Sequence, residues 1–166
     1  MDVVFTYGRF NPPHLGHKMM IEKIVNKAEK LNKTPLIIVS HTTGNPRNPL
    51  SVNNKLQILR RWFPNVTFLS SSKNLPLGKI AENFSKNSVM IVGENRKNAF
   101  SYLPFNRVAL NRPNVAPSAT KARAAAMNGN KELFKNLAEY NLTNAIRNRI
   151  VESSKPKSSP KNKKSK

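Results

Sequence analysis

Along this chain, short runs of β-branched and aromatic residues alternate with longer stretches in which apolar side chains return every three or four positions. Val3–Tyr7 is the first such run, ends at Gly8, and predicts a buried strand. From Leu15 to Leu31 the positions Met20, Ile21, Ile24, Val25, Ala28 and Leu31 form one face of a helix, with Pro35 as its stop. Leu36–Ser40 predicts the second strand. Ser51 is an N-cap candidate for a helix that carries Leu56, Ile58, Leu59 and Trp62 and closes at Pro64. Trp62 follows Leu59 on that face and is expected in the core. Val66–Leu69 predicts a third strand, residues 77–84 a weaker helix, Ser88–Val92 a fourth strand ending at Gly93, and Arg107–Leu110 a short fifth one. Three helices follow: Ser118–Met127, ended by Asn128 and Gly129 as a left-handed pair, then Lys131–Glu139 and Leu142–Val151. No internal repeat is visible.

Strands alternating with helices imply parallel pairing through crossovers, hence an α/β fold with a doubly wound parallel sheet of about five strands and C-terminal helices. A chain of 166 residues is the size of one domain with one core. That domain is expected over residues 1–152. Residues 153–166 hold six lysines among Ser, Pro and Asn with no acid, and are expected to form a disordered basic tail. In doubly wound sheets, ligands bind in the crevice at the carboxyl ends of the strands. Every loop that carries candidate chemistry here follows a strand.

Composition narrows the classes. With no cysteine, disulfides and thiolate metal sites are excluded. There is no run of eighteen apolar residues to span a membrane, and the N-terminus shows no secretory pattern, so a soluble intracellular protein is expected. The net charge of +21 comes from 29 basic and 8 acidic residues, and the body still carries +15 once the six tail lysines are set aside. Such a field attracts polyanions, nucleotide phosphates and nucleic acid among them, without reading a base sequence.

The sharpest local signal is His14 and His17, three residues apart where the loop after the first strand turns into a helix. Both side chains can share one face of that first turn, Gly16 permits close approach of a ligand, and the helix N-terminus offers free amides to phosphate. Two imidazoles there can donate to oxygens whose charge grows in a transition state. The plainer alternative is that His14 caps the helix and His17 packs. A zinc site lacks a third ligand: His41 is the remaining histidine, Asp2 and Glu22 are wrongly placed, and no metal ligand is assigned. Further on, Ser118 and Thr120 supply hydroxyls at a helix start, and Arg123, one turn on, can fold a planar fork back over phosphates. An ordinary serine N-cap on a solvated basic helix is the alternative there.

The thirteen residues Phe5–His17, with Gly8-Arg9-Phe10 ahead of His14-Leu15-Gly16-His17, resemble the signature of the H-x-G-H nucleotidyltransferases. The Gly-Arg-Phe opening is most similar to archaeal-type nicotinamide mononucleotide adenylyltransferases and to cytidylyltransferase-like proteins of bacteriophages and large DNA viruses. The resemblance implies a Rossmann-like sheet, histidines on the triphosphate, and a nucleotide loop drawn from Tyr7, Gly8, Arg9, Phe10, Gly16 and Lys18. Ser118-Ala119-Thr120 with Arg123 is similar to the second signature, which holds the β- and γ-phosphates. Gly93, Asn95 and Arg96 stand where relatives carry Gly-x-Asp-Arg; Asn95 replaces the usual acid, and Arg96 fits a phosphate contact. The segment from Asn48-Pro49 to Lys55 is similar to one in the adenylyltransferases, with Lys55 in place of Arg. Lys55, together with His41 at the end of the second strand, is assigned to the acceptor, an ordinary loop histidine being the alternative for His41.

What this implies is in-line attack by an acceptor phosphate on the α-phosphorus of ATP or CTP. Transfer goes to a phosphorylated small molecule with loss of pyrophosphate, and Mg2+ arrives on the triphosphate. The viral resemblance implies a virus-encoded protein. A class I aminoacyl-tRNA synthetase relative is disfavoured by length and by the lack of a Lys-Met-Ser-Lys segment. The alternative from a different class is a catalytically silent member of the fold acting as a basic nucleic-acid-binding or packaging component.

Overall fold

The computed structural model describes residues 1–110 and 118–155, apart from the side chains of Asn95 and Lys97. The expected tail from residue 156 onward lies outside the described residues. Five strands, β1 (Val3–Gly8), β2 (Thr34–Val39), β3 (Thr67–Ser70), β4 (Val89–Gly93) and β5 (Asn106–Leu110), form one sheet in the order β3-β2-β1-β4-β5. All four pairings are parallel, so the chain is an α/β protein with a Rossmann-like sheet. The strand order reverses between β1 and β4, which makes the carboxyl ends of these two strands the switch point where a crevice opens.

Alternation along the strands builds a core on each face. Val3, Phe5, Leu36, Ile38, Met90 and Val92 turn to one side, against Leu77 and Ile80 of α3 (Leu77–Ala81) and against Phe84, Phe100 and Phe105. Val4, Ile37, Val39, Val89 and Ile91 turn to the other, against Ile21, Ile24 and Ala28 of α1 (Leu15–Leu31) and Leu56 and Leu59 of α2 (Val52–Trp62). A third cluster joins Leu50 and Ile58 to α4 (Ala119–Met127), α5 (Lys131–Ala138) and α6 (Asn144–Ser154) through Ala122, Ala126, Phe134 and Ile150. Trp62 is half-buried between the second and third clusters, 5.9 Å from the Tyr140 ring.

The boundaries differ from the sequence pattern where a local cap overrides periodicity. Asn32, not Pro35, ends α1: it adopts the left-handed conformation (φ 56°), and its N–H donates to the carbonyls of Ala28 and Glu29. Pro35 is the second residue of β2, opposite Val4. At the end of α4 only Gly129 is left-handed (φ 69°), while Asn128 remains right-handed. Thr143 caps α6 through its side chain, so Leu142 stays outside that helix. The helix then runs on to Ser154, two residues into the segment expected to be a tail. A 3-10 segment over Glu94–Phe100, which has no hydrophobic period of its own, follows β4.

Asn11 is what joins the loop after β1 to the loop after β2. Its side chain, 2% exposed, donates from Nδ2 to the Leu50 carbonyl at 3.0 Å and accepts from the Leu50 N–H at 2.7 Å. Asn11→Ala would leave both buried backbone groups of Leu50 unpaired and is expected to cost about 2–4 kcal/mol of folding stability, read by urea unfolding. A loss below about 0.5 kcal/mol would show that solvent replaces the bracket.

Candidate active site

The crevice at the switch point is a cavity of about 600 Å³. It is walled by the loop after β1, the first two turns of α1, the end of β4 with the start of the 3-10 segment, and the first turns of α4. The loop after β1 enters it tightly. Phe10 is a non-glycine residue in the left-handed region (φ 49°) with a buried ring. A Cβ on Gly8 would stand 3.0 Å from that ring, so any side chain there would press on the buried Phe10.

His14 is the N-cap of α1 and His17 its third residue, and together they make a capping box. The Gly16 N–H donates to His14 Nδ1 at 3.0 Å, and the His14 N–H donates to His17 Nδ1 at 3.1 Å. The two rings stack with centroids 3.7 Å apart, and His17 also meets Phe10 at 4.6 Å. In a neutral imidazole an accepting Nδ1 leaves the proton on Nε2. The cap therefore sets the tautomer, and each ring has Nε2 as its donor.

Across the cavity, Ser118 caps α4 by accepting from the Lys121 N–H at 3.2 Å. Arg123 reaches back over that helix start. Its Nη1 donates to the carbonyls of Asn11 at 2.9 Å and Arg47 at 3.1 Å, and its Nη2 donates to Thr120 Oγ1 at 3.3 Å. Burial pushes the Arg123 pKa below its ordinary value, and the charges of Arg9 and Arg47 push it the same way. The ion pairs among the described residues are Lys18–Glu139, Lys33–Asp2 and Lys155–Glu152, and none involves a cation of the cavity wall. No carboxylate stands in that wall among the described residues, and no cluster of three or more His, Asp or Glu there could hold a metal. The wall thus suits an anion and does not fit a protein-held metal ion.

The sequence model described as cytidylyltransferase-like matches residues 5–147. This chain belongs to the cytidylyltransferase-like family. No curated relative matches it in sequence. Among solved structures it is similar to a bifunctional NMN adenylyltransferase/ADP ribose pyrophosphatase from Francisella tularensis, at 16% identity and a TM-score of 0.63 over 82% of this chain and 44% of that one. The same protein complexed with AMP and Mn ion gives 16% identity and a TM-score of 0.62, over 91% of this chain and 52% of that one. Thermotoga maritima TmcAL bound with alpha-thio ATP gives 9% identity and a TM-score of 0.56, over 90% and 55%. At these identities the likeness is one of fold, and the chain spans about half the length of each.

In this family member the cavity wall brings together Gly8, Arg9, Phe10, His14, Gly16, His17, Gly93, Arg96, Ser118, Ala119, Thr120 and Arg123 from the sequence-derived set. Others lie elsewhere. Lys18 turns away to pair with Glu139 at 2.8 Å and to lie over the Trp62 ring. The Tyr7 hydroxyl and His41 Nδ1 both meet Ser71 Oγ, at 3.4 and 2.7 Å, with His41 and Ser71 just past the ends of β2 and β3 and all three outside the cavity wall. The Asn95 side chain lies outside the described set. Lys55 corrects its expected place: it is fully buried beneath the loops, donating from Nζ to the carbonyls of Arg9 at 2.9 Å and Ser40 at 2.6 Å. It braces the two loops from beneath and is not part of the cavity wall.

The sequence reading missed Asn11, Arg47, Asn48, Leu110, Met19, Met20 and Lys23 in the wall. A signal existed for part of this set: Gly16, Met19, Met20 and Lys23 follow the i, i+3, i+4, i+7 spacing of one helix face. Asn48 is buried and donates from Nδ2 to Asn45 Oδ1, while its own Oδ1 has no partner among the described residues.

Desolvation pushes the Lys55 pKa down to about 8 from the ordinary 10.5. Below about pH 8 the folded and unfolded states both hold the proton, and this group contributes no pH dependence. Between about 8 and 10.5 the folded state has released the proton and the unfolded state keeps it, so raising pH favours folding. Thermal melts are expected to show Lys55→Met losing stability relative to wild type at every pH, with a gap that widens from pH 8 to 10. A gap that stays constant or shrinks would mean that the buried amine is not titrating there.

Proposed function

We propose that this protein is a nucleotidyltransferase that moves a nucleoside monophosphate from ATP or CTP to the phosphate of a phosphorylated small molecule and releases pyrophosphate. The observation that carries this reading is the pair of tautomer-fixed histidines at the α1 N-terminus, facing Arg123 and the α4 N-terminus across a cavity whose wall has no carboxylate among the described residues. Family membership and the nucleotide ligands named in the similar structures support it.

The chemistry asks little covalent work of the protein. An oxygen of the acceptor phosphate attacks the α-phosphorus, the bond from that phosphorus to the bridging oxygen breaks, and pyrophosphate departs with the electron pair. The attacking oxygen is already anionic, so no side chain has to take a proton from it. What the chain supplies is position and compensating charge. His14 and His17 donate from Nε2 to the α-phosphate oxygens as their charge rises. Ser118, Thr120, the first amides of α4 and Arg123 receive the β- and γ-phosphates that become the leaving group. Arg9 and Arg96 flank them as further phosphate contacts. A divalent ion enters as part of the substrate, bound to triphosphate oxygens.

His14→Asn and His17→Gln separate capping from catalysis, because asparagine caps a helix well and glutamine at the third position completes a capping box. Each is expected to leave folding stability within about 1 kcal/mol of wild type and to lower kcat/KM by about 10²- to 10³-fold. Pyrophosphate release with ATP or CTP and a panel of phosphate esters checks this. Turnover unchanged in both variants would refute the assignment. Thermal shifts that are equal for any polyanion, fade with salt and persist in both variants, without pyrophosphate release, would favour a basic nucleic-acid-binding component instead.

A further inference from the structure

The His14 N–H that donates to His17 Nδ1 belongs to the same peptide group as the Pro13 carbonyl. That carbonyl accepts from the Tyr140 hydroxyl at 2.9 Å, a bond between residues 127 positions apart. The Pro13–His14 bond is trans, so its C=O and N–H point in opposite directions. Tyr140 therefore holds this peptide from the side of the C-terminal helices, and His17, a residue of the cavity wall, takes its N–H on the other. Pro13 is buried, and a buried carbonyl requires such a donor.

The surroundings of Tyr140 suit it to this task. Glu139, the C-cap of α5, is left-handed (φ 64°) and turns the chain out of that helix. The Tyr140 ring then packs 5.9 Å from Trp62 and edge-on to Phe134 at 5.4 Å. Burial pushes the pKa of its hydroxyl up, so the phenol stays protonated and remains a donor.

Taking the transferase reading as given, we propose that Tyr140 is a positioning residue for His17, acting through the Pro13–His14 peptide. The bonds run in one sense: phenol O–H to carbonyl, peptide N–H to Nδ1, and Nε2–H to the ligand. Hydrogen bonds linked in this way polarise one another, each one strengthening the next donor. The phenol also fixes the plane of the peptide, and with it the direction from which the His14 N–H meets the ring. A side chain from the C-terminal helices thus sets up a donor at the start of α1.

Tyr140→Phe removes the hydroxyl and keeps the ring. With the nucleotide and ester that wild type turns over, it is expected to lower kcat about threefold to thirtyfold, less than the loss of a direct donor. KM for the nucleotide is expected to stay within about twofold, because the donor it weakens acts in the transition state. In the His17→Gln background the same substitution is expected to lower kcat no further, because its effect passes through that ring. Nitrogen-15 spectra of the ligand-free chain at pH 8 read the relay without turnover. In wild type, His17 Nδ1 is expected at an unprotonated shift, with a scalar coupling to the His14 amide nitrogen across their hydrogen bond. In Tyr140→Phe the Nδ1 and Nε2 shifts are expected to move toward each other as the second tautomer is populated. Glu139→Gln cuts the Lys18–Glu139 pair, a second tie between α1 and the end of α5, and is expected to change neither kcat nor these shifts.

Absence of the coupling in wild type would overturn the proposal without any variant. So would His17 shifts that Tyr140→Phe leaves unchanged, or a fall in kcat that persists undiminished in the His17→Gln background. Equal changes in Glu139→Gln would reduce Tyr140 to a docking contact and overturn it too. If wild type releases no pyrophosphate with any ester, the transferase reading falls, and the spectra still decide whether Tyr140 positions the ring.

Discussion

The backbone of residues 9–11 is held by three side chains from three directions, and the rest of the site depends on that anchorage. Lys55 donates to the Arg9 carbonyl from beneath, the Asn11 side chain brackets Leu50 laterally, and Arg123 donates to the Asn11 carbonyl from the far wall. Without such ties a left-handed Phe10 would relax, because that conformation is unfavourable for a residue with a side chain. With them, the chain leaves β1 at a fixed angle and delivers His14 to the start of α1. Lys55 also donates to the Ser40 carbonyl, so the ends of β1 and β2 are tied by one ammonium in addition to their own ladder.

The electrostatic consequence is unusual for a protein interior. The ammonium of Lys55 and the guanidinium of Arg123 are satisfied mainly by carbonyl oxygens, dipoles that stabilise a cation without neutralising it. Burial pushes both pKa values down in spite of those dipoles, and the charges of Arg9 and Arg47 push Arg123 further the same way. A positive potential is thus built into the cavity wall at a cost in stability, and on the proposed transferase reading a polyphosphate would relieve it. The same charge on a flat surface would be screened within a Debye length of about 8 Å at physiological salt, whereas a concave cleft of about 600 Å³ retains more of it.

Much of this was legible in the sequence because it is local. The β1 run, the α1 period and the serine caps at 51 and 118 each fix an element from its own residues, and their alternation fixes the sheet class. What was not legible depends on partners distant in the chain. Lys55 stands four residues before Leu59 and seven before Trp62, so its place on the inward face of α2 could be read. That two strand ends would offer it carbonyls could not be. Lys18 is similar: its sequence position beside His17 suggests phosphate, and Glu139 from the C-terminal helices captures it. The 3-10 segment after β4 has no period to detect, and Arg47 gave no signal apart from its neighbour Asn48.

The two readings open to the histidines, capping and chemistry, exclude each other only if each ring has a single task. An imidazole has two nitrogens on different sides of the ring, and here both Nδ1 atoms are spent on backbone N–H groups at the start of α1. That commitment holds each ring against rotation and fixes which nitrogen bears the proton, the two conditions a hydrogen-bond donor to a phosphate oxygen must meet. A serine or asparagine would satisfy the helix end equally well. Neither carries a second nitrogen held rigidly at the distal edge of a ring. On the proposed transferase reading, histidine at both capping positions is preorganisation: the bonds that start the helix would be the bonds that aim the donors.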